Sequence, residues 1–152
     1  MRRGLPLLCA LVALAVPLTA NAGMSTDDSA LLQAMNRARS AHGLPALRYD
    51  SHLQRAAVSH SRAMLASNSF THGAFGSRML EFEVSFSTAG ENLAWGTGAH
   101  GAARAIVSAW LASPEHRANL LRPSFTRVGV GDLVGRFLGH GGAHVVTADF
   151  AD

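Results

Sequence analysis

The sequence predicts a domain of the α+β class, with helices in its first part and its main strands near its end. Apolar residues recur with helical spacing along three stretches that begin near Ser25, Ser51 and Ala102. Two later stretches, Thr126 to Val134 and Ala143 to Phe150, are rich in valine and phenylalanine, as strands are. The two patterns together indicate a fold that contains both helices and a sheet.

The first two helices have recognisable start signals. Ser25 or Thr26 suits the N-cap position, and two aspartates follow in the first turn. Gly43 ends this helix, whose apolar face carries Leu31, Ala34, Met35, Ala38 and Ala41. The segment Ser51-His52-Leu53-Gln54 matches a capping box and predicts a second helix that runs to about Ala66.

The middle of the chain is less regular. Residues 67–89 are dominated by Ser, Asn, Gly and Thr, which predicts a loop with one short helical turn. Gly90 to Gly96 fits either a short strand or an extended turn. A third helix is marked by Ala102, Ile106, Ala109 and Trp110.

The third helix ends at Ser113, which can cap a fourth and shorter helix. Pro114 suits the first position of that helix, and Pro123 ends it. The two valine-rich strands then follow, and Gly139 to Gly142 provides a hairpin connection between them.

The first 22 residues are predicted to be a secretory signal peptide. Arg2 and Arg3 precede an apolar run from Leu5 to Val16, which is too short for a transmembrane span. Ala20-Asn21-Ala22 fits the small-x-small cleavage pattern, so we expect cleavage after Ala22 and export of the chain. Residues 23–152 then form one domain without disulfides, because Cys9, the only cysteine, lies in the signal peptide.

The charge balance argues against a nucleic-acid partner. All 13 basic residues are arginine and two of them lie in the predicted signal peptide, which leaves 11 arginines against 10 acids. A mature chain that is almost neutral lacks the positive field that binds phosphates.

Three short polar runs are candidates for a functional site: Phe70-Thr71-His72, Gly90-Glu91-Asn92 and Ser113-Pro114-Glu115-His116-Arg117. Histidine and carboxylate side chains hold divalent metals and transfer protons near neutral pH. At the third position of its helix, His116 meets the positive end of the helix dipole, which disfavours a protonated ring. Simpler roles remain open, since His72 also fits an exposed loop, Glu91 a turn and Glu115 a first helical turn.

The other histidines have weaker claims. His60 lies on the apolar stripe of the second helix and is predicted to be a core histidine, while His42, His52 and His100 suit the surface or a helix end. His140 and His144 adjoin glycines of the hairpin and could bind metal adventitiously. His-Glu-x-x-His, Gly-x-Ser-x-Gly, a phosphate-binding glycine loop and a cysteine nucleophile are all missing from the sequence.

Taken in order, the motifs resemble those of a bacterial member of the CAP superfamily. This superfamily is the secreted domain shared by cysteine-rich secretory proteins, insect venom allergen five and plant pathogenesis-related class one proteins. The resemblance covers nearly all of residues 28–151. It rests on the three polar runs, of which the second continues to Ala94 and the third to Leu121. The other matching segments are Asn36-Arg37-Ala38-Arg39, Gly43-Leu44-Pro45-Ala46-Leu47, Trp110 and Val128-Gly129-Val130-Gly131.

The resemblance implies a three-layer α-β-α sandwich with a small central antiparallel sheet and a cleft lined by two histidines and two glutamates. Matched by motif, His72 and His116 are the histidines and Glu91 is one glutamate. The other glutamate usually follows the tryptophan of the third helix. Here Glu115 is the one candidate, although its place beside His116 equally suits a helix cap.

Such a cleft suits Zn²⁺, or Mg²⁺ or Ca²⁺ held through water. Because this cleft comes without a nucleophile or a known catalytic signature, we favour a secreted, monomeric, non-enzymatic module that binds a divalent cation together with a lipid, glycan or peptide. The alternative is a metal-dependent, protease-like hydrolase of envelope or secreted substrates with Glu91 as general base. A third reading, lipid or sterol export, needs an apolar groove near Phe82 and Phe86. Whether the protein is an enzyme stays open at this point.

Overall fold

The computed structural model describes residues 23–152, so the predicted signal peptide lies outside the described part of the chain. The described residues form five α-helices, one short 3₁₀ helix and four strands. In chain order these are α1 Thr26–Ala41, β1 Arg48–Tyr49, α2 Ser51–Ser67, α3 Phe75–Glu81, β2 Ala89–Thr97, the 3₁₀ helix Gly98–Gly101, α4 Ala103–Ala112, α5 Pro114–Leu120, β3 Arg127–Phe137 and β4 His140–Ala151.

The strands form one sheet in the order β1-β3-β4-β2. The long strands β3, β4 and β2 pair antiparallel, whereas the two-residue strand β1 runs parallel to β3. Helices cover both faces of this sheet, so the predicted α+β sandwich is confirmed. The one departure from a purely antiparallel sheet is β1, which is too short to alter the layers.

Helices α1, α4 and α5 cover one face of the sheet. Even-numbered residues of β3 and β4 point to this face, because side chains alternate along a strand. The buried cluster here includes Leu31, Met35, Ile106, Trp110, Leu120, Phe125, Val128, Val130, Val146, Ala148 and Phe150. It is the larger part of the hydrophobic core.

Helices α2 and α3 cover the other face, and α2 lies directly on the strand backbone. A Cβ atom at Gly129 would lie 2.0 Å from the Leu53 carbonyl carbon, and one at Gly131 would lie 2.7 Å from that of Ala57. Only glycine allows this approach. The motif Val128-Gly129-Val130-Gly131 therefore alternates core valines on one face with helix-contact glycines on the other.

The start of α1 follows the prediction, and the start of α2 does not. The side chain of Ser25 accepts a hydrogen bond from the Asp28 N–H, while the Asp28 carboxylate accepts one from the Ser25 N–H, which completes a capping box. The predicted capping box at Ser51 is wrong. Asp50 is the N-cap of α2, because its carboxylate accepts hydrogen bonds from the His52 and Leu53 N–H groups.

The middle and end of the chain are more regular than predicted. The expected single helical turn is the seven-residue helix α3, and Gly90 to Gly96 lies within the strand β2. The hairpin turn consists of Leu138 and Gly139, both with positive φ, and Phe137 pairs with His140. The predicted turn at Gly139 to Gly142 is therefore displaced, and Gly141 and Gly142 belong to β4.

A candidate histidine–glutamate cleft

The three sequence runs meet at β2, the outermost strand on its side of the sheet. His72 lies in the connection between α2 and α3, Glu91 lies in β2, and His116 lies in α5. Asn92 donates a hydrogen bond of 2.9 Å to the His116 carbonyl, and Asn119 donates one of 3.1 Å to the Glu91 carbonyl. These amide bonds fasten the Gly90-Glu91-Asn92 run to the helix that carries His116.

The Glu91 carboxylate is held on both oxygens. The Nδ1 atom of His72 lies 2.5 Å from Oε1, and Nη2 of Arg78 donates to Oε2. The Glu91 side chain is 3% exposed, whereas that of His72 is 60% exposed. His72 therefore covers a buried acid and presents the rest of its ring to solvent. This contact joins the first two predicted site residues directly.

Asp149 is a second buried acid behind Glu91. The two residues are register partners in the β2–β4 pair, and Arg78 Nη2 lies 3.6 Å from Asp149 Oδ1. Neither Asp149 oxygen has a hydrogen-bond partner among the described residues. Burial raises the pKa of Glu91 to about 7, and burial together with the Glu91 charge raises the pKa of Asp149 well above its usual value. Glu91 and Asp149 together therefore tend to keep a proton at a pH where exposed carboxyl groups have lost theirs.

His60 supports the site from α2. Its Nε2 donates 2.9 Å to the Thr71 carbonyl, one residue before His72, and lies 3.8 Å from Glu91 Oε2. Burial, with smaller contributions from the charges of Arg78 and His72, lowers the pKa of His60 to about 4. The ring is neutral near pH 7. The prediction of a core histidine is confirmed, and this residue also anchors the loop of His72.

His116 is half-buried, and its Nδ1 lies 2.8 Å from the Ser113 hydroxyl oxygen. Its pKa is lowered, first by burial and then by the charge of His72. The expected neutral ring is therefore supported, with burial as the leading cause. Ser113 precedes α5 as predicted but does not cap it through its side chain, because the hydroxyl bonds the His116 ring instead.

Glu115 is exposed in the first turn of α5, and its charge raises the pKa of His116. Within the described residues, His72, Glu91, His116 and Glu115 do not supply three ligand atoms within 4.8 Å of one another. Such a group exists elsewhere, at Asp27, Asp132 and His144. The cleft is thus a His72–Glu91 pair, with His116 connected to it through the bond from Asn92, the residue after Glu91.

Two important neighbours of Glu91 were missed from the sequence. Arg78 lies in a stretch predicted as loop, where nothing distinguished it from other surface arginines. Asp149 had a usable signal, because it is the one charged residue in the run Val145 to Ala151, whose other members are apolar apart from Thr147. An acid at a buried strand position needs a partner or a proton.

Phe82 and Phe86, the two residues expected near an apolar groove, have different surroundings. Phe82 is half-buried against the cluster around Leu53 and Met79 and lines a surface hollow of about 340 Å³, whose lining residues do not include the exposed Phe86. Among residues 23–152, the helices are too short or too polar to cross a bilayer.

Comparison with known proteins adds the family context. The profile described as the cysteine-rich secretory protein family, CAP, matches residues 32–150. Two curated proteins of Bacillus subtilis (strain 168) are each 35% identical: the uncharacterized protein YkwD over 74% of this chain, and the uncharacterized membrane protein YlbC over 70% of it. The chain spans 45% and 32% of their respective lengths.

Solved structures share the fold. An extracellular protein of Bacillus anthracis that contains an SCP domain is 32% identical with a TM-score of 0.69, covering 82% of this chain and 40% of that one. An outer surface protein of Borrelia burgdorferi is 23% identical with a TM-score of 0.69, covering 82% and 90%. A cysteine-rich secretory protein of Staphylococcus aureus is 20% identical with a TM-score of 0.64, covering 83% and 39%. The last two show likeness of fold alone.

Proposed function

Because the chain belongs to the cysteine-rich secretory protein (CAP) family, we propose that it is a secreted binding module whose histidine–glutamate cleft takes a divalent cation. The cation then helps to hold an extracellular lipid, glycan or peptide. The module is non-enzymatic and monomeric in this proposal. It comprises residues 23–152, released after cleavage of the signal peptide behind Ala22.

One observation carries the proposal: both cleft imidazoles are held through Nδ1. Glu91 holds the ring of His72 and Ser113 holds that of His116. Each ring therefore keeps Nε2 as the nitrogen that can bind a ligand. An imidazole whose other nitrogen bonds a carboxylate or a hydroxyl is the usual arrangement for a metal-binding histidine. The lowered pKa of His116 favours the neutral form that a metal needs.

The set of donors fits a borderline cation such as Zn²⁺ better than Mg²⁺ or Ca²⁺, which prefer oxygen ligands. His72 and His116 would hold the ion, and Glu91 would orient His72. Direct ligation by Glu91 requires that one of its present partners, His72 or Arg78, moves away. When bound, the cation supplies a fixed positive charge for an oxygen atom of the ligand.

Export is supported by the signal-like start of the chain and by the family. The similar protein of Bacillus anthracis is described as extracellular, and that of Borrelia burgdorferi as an outer surface protein. Secretion of this chain is our proposal from these likenesses. It places the cleft in a compartment where ligands of the cell envelope are available.

Zinc titration of residues 23–152 by calorimetry tests the cation. We expect His72→Ala and His116→Ala each to weaken binding by about tenfold or more, because each removes one ligand. Ser113→Ala should weaken it less, since it removes only the group that orients His116. Circular dichroism melting of every variant separates loss of binding from loss of fold.

His42→Ala is the matched control, because His42 is an exposed histidine at the end of α1. It should bind zinc as the parent protein does. If His72→Ala and His116→Ala fold normally and bind as many zinc ions per chain as the parent, with the parent's affinities, the proposed cation cleft is rejected.

A second candidate function, metal-dependent hydrolysis, is favoured by one observation. The pKa of Glu91 is raised to about 7, which is the value expected of a group that exchanges protons near neutral pH. In this reading Glu91 is the general base and Asp149 shares its proton. Because the Glu91 side chain is 3% exposed, His72 must first move aside to admit a substrate.

The hydrolase reading predicts turnover of a peptide, ester or peptidoglycan substrate that a chelator removes and Glu91→Gln abolishes. Activity that survives Glu91→Gln would reject Glu91 as the base. Zinc binding without any turnover would leave the binding module as the better account.

A further inference from the structure

A second cluster of metal-binding side chains lies on the opposite face of the sheet from Glu91. We propose that Asp27, Asp132 and His144 form a separate site for a divalent transition-metal ion, with Zn²⁺ as the best match. Ligand atoms of these three side chains lie within 4.8 Å of one another. The site does not rest on the proposed cleft function.

Strand geometry positions two of the three ligands. Asp132 pairs with Val146 in the β3–β4 hairpin, so His144, two residues before Val146, lies diagonally across from Asp132 on the same face. The Nδ1 atom of His144 lies 2.9 Å from Asp132 Oδ1 and 3.1 Å from Oδ2. Asp27 approaches from the first turn of α1, which covers this face.

The His144 ring fits closely against the backbone. A Cβ atom at Gly101 would lie 2.6 Å from His144 Cδ2, so the ring occupies space that only a glycine leaves open. The 3₁₀ helix Gly98–Gly101 therefore forms a wall on one side of the ring. A histidine confined in this way loses little further freedom when it binds an ion, which favours binding.

The charges around Asp132 favour a cation. Its side chain is 3% exposed, and it lies close enough to Asp27 and Asp28 to feel the charges of both carboxylates as well as that of its partner His144. Asp28 already accepts hydrogen bonds from Ser25, Gln54 and the Asp132 N–H. A divalent ion would offset the repulsion between the Asp27 and Asp132 carboxylates. The His144 ring alone offsets this repulsion only in part.

The donor chemistry selects the kind of ion. One imidazole and two carboxylates suit Zn²⁺ with a water molecule as the fourth ligand, whereas Mg²⁺ and Ca²⁺ prefer oxygen ligands throughout. The ion would connect the start of α1 with the end of the β3–β4 hairpin. Its expected effect is to stabilise the fold, since it would join the exposed Asp27 of α1 to the buried Asp132 of β3.

The test uses residues 23–152 carrying His72→Ala and His116→Ala, so that the histidines of the cleft contribute no zinc binding. We expect this background protein to bind one zinc ion per chain and to melt at a higher temperature in its presence. Asp27→Asn and His144→Asn should each weaken binding by about tenfold or more and remove the zinc-dependent rise in melting temperature.

Two matched variants control for charge and histidine content. Glu81→Gln removes an exposed acid from α3, and His140→Asn removes an exposed histidine from the same strand as His144; both should bind as the background protein does. The inference is overturned if the background binds no zinc, or if Asp27→Asn and His144→Asn fold and bind it equally well. The cleft is tested separately by adding His72→Ala or His116→Ala to protein that carries Asp27→Asn and His144→Asn, so either site can fail alone.

Discussion

The Glu91 carboxylate is surrounded by a histidine, an arginine and a second acid. His72 and Arg78 contact its oxygens, while Asp149 faces it across the β2–β4 pair. Burial nevertheless dominates, and it raises the pKa of Glu91 to about 7 despite the opposing effect of Arg78. A carboxyl group with this pKa is only partly ionised near pH 7, which agrees with a role in orienting His72 rather than in carrying a fixed charge.

Glu91→Gln should change how stability depends on pH. In the parent protein the folded state binds the Glu91 proton more tightly than the unfolded state, so stability conferred by this group falls as pH rises from about 4.5 to about 7 and then levels off. Glutamine cannot ionise, and it also relieves Asp149 of a neighbouring charge. Relative to the parent, the variant should therefore gain on the order of 1–3 kcal/mol across this range.

Urea unfolding of both proteins at several pH values between 4 and 8 measures this difference. The His60 contribution is common to both proteins and largely cancels. A stability difference that stays constant across the range would contradict the raised pKa of Glu91.

Arg39 is a second buried ionisable residue, and its hydrogen bonds join separate segments of the chain. The residue is 1% exposed, and its guanidinium donates to the carbonyls of Pro45, Leu120, Arg122 and Phe125 at 2.8–3.1 Å. The group therefore joins α1 to the segment that follows it and to the chain after α5. This contact gives the last residue of the Asn36-Arg37-Ala38-Arg39 motif a structural role.

Arg39→Met should lower the free energy of unfolding by at least about 3 kcal/mol, because the carbonyls lose their donors while the apolar part of the side chain is preserved. Arg37→Met is the matched control in the same motif; Arg37 is exposed, and we expect a change within about 0.5 kcal/mol. Equal effects of the two substitutions in denaturant unfolding would contradict this role of Arg39.

At the residue scale, the sequence predicted the family-matched side chains and missed their neighbours. His72 and Glu91 were identified by motif, and the structure joins them. Arg78 could not be predicted, since its role depends on how α3 folds back onto β2. His116 was expected to be neutral because of the helix dipole, whereas burial, which no local pattern reveals, is the leading cause.

The packing of α2 on β3 is the closest contact between elements. Gly129 and Gly131 face the Leu53 and Ala57 backbone, and at the same strand edge Gln54 accepts a hydrogen bond of 2.9 Å from the Val130 N–H. Since β1 covers only two residues of β3, side chains from α1 and α2 complete the edge of the sheet. The Val130 and Asp132 N–H groups are thereby unavailable for pairing with another chain.

Gly129→Ala should cost about 3 kcal/mol or more, because the added methyl group meets backbone atoms that cannot move aside. Gly135→Ala is the matched control on the same strand and face. There the new Cβ would meet the end of the flexible Leu65 side chain at 3.0 Å, and we expect a cost below about 1 kcal/mol. Thermal unfolding of both variants measures these costs. A loss of stability at Gly129→Ala as small as that at Gly135→Ala would contradict the close backbone contact.

At the element scale, predictions succeeded where a local signal was strong. Ser25 and Gly43 delimit α1 closely, because caps and glycines act through adjacent backbone. The start of α2 was misplaced by one residue, since Asp50 competes with Ser51 for the same role. The strand β2 was ambiguous in sequence, because its pairing with β4 is a tertiary interaction.

The whole molecule is a sandwich in which the sheet separates two candidate sites. The cleft of His72, Glu91 and His116 lies at the β2 side, and the cluster of Asp27 and its partners lies under the start of α1. Neither the layers nor this separation follows from periodicity, which indicated only a mixed fold. The ordered motifs, through their family resemblance, supplied the architecture.

Export is a prediction about the whole chain. When the full sequence is expressed in a bacterium that secretes proteins, we expect an extracytoplasmic product that begins at Gly23, measured by intact mass spectrometry. Ala22→Arg should block processing, whereas Asn21→Gln, at the permissive middle position, should not. An intracellular product that retains residues 1–22 would contradict the prediction.

The central claim concerns the cation cleft, and a zinc-soaked crystal tests it most directly. An anomalous difference map recorded at the zinc edge should show a peak about 2.0–2.1 Å from Nε2 of both His72 and His116. A fully occupied zinc ion elsewhere, with no peak at these two nitrogens, would contradict the claim.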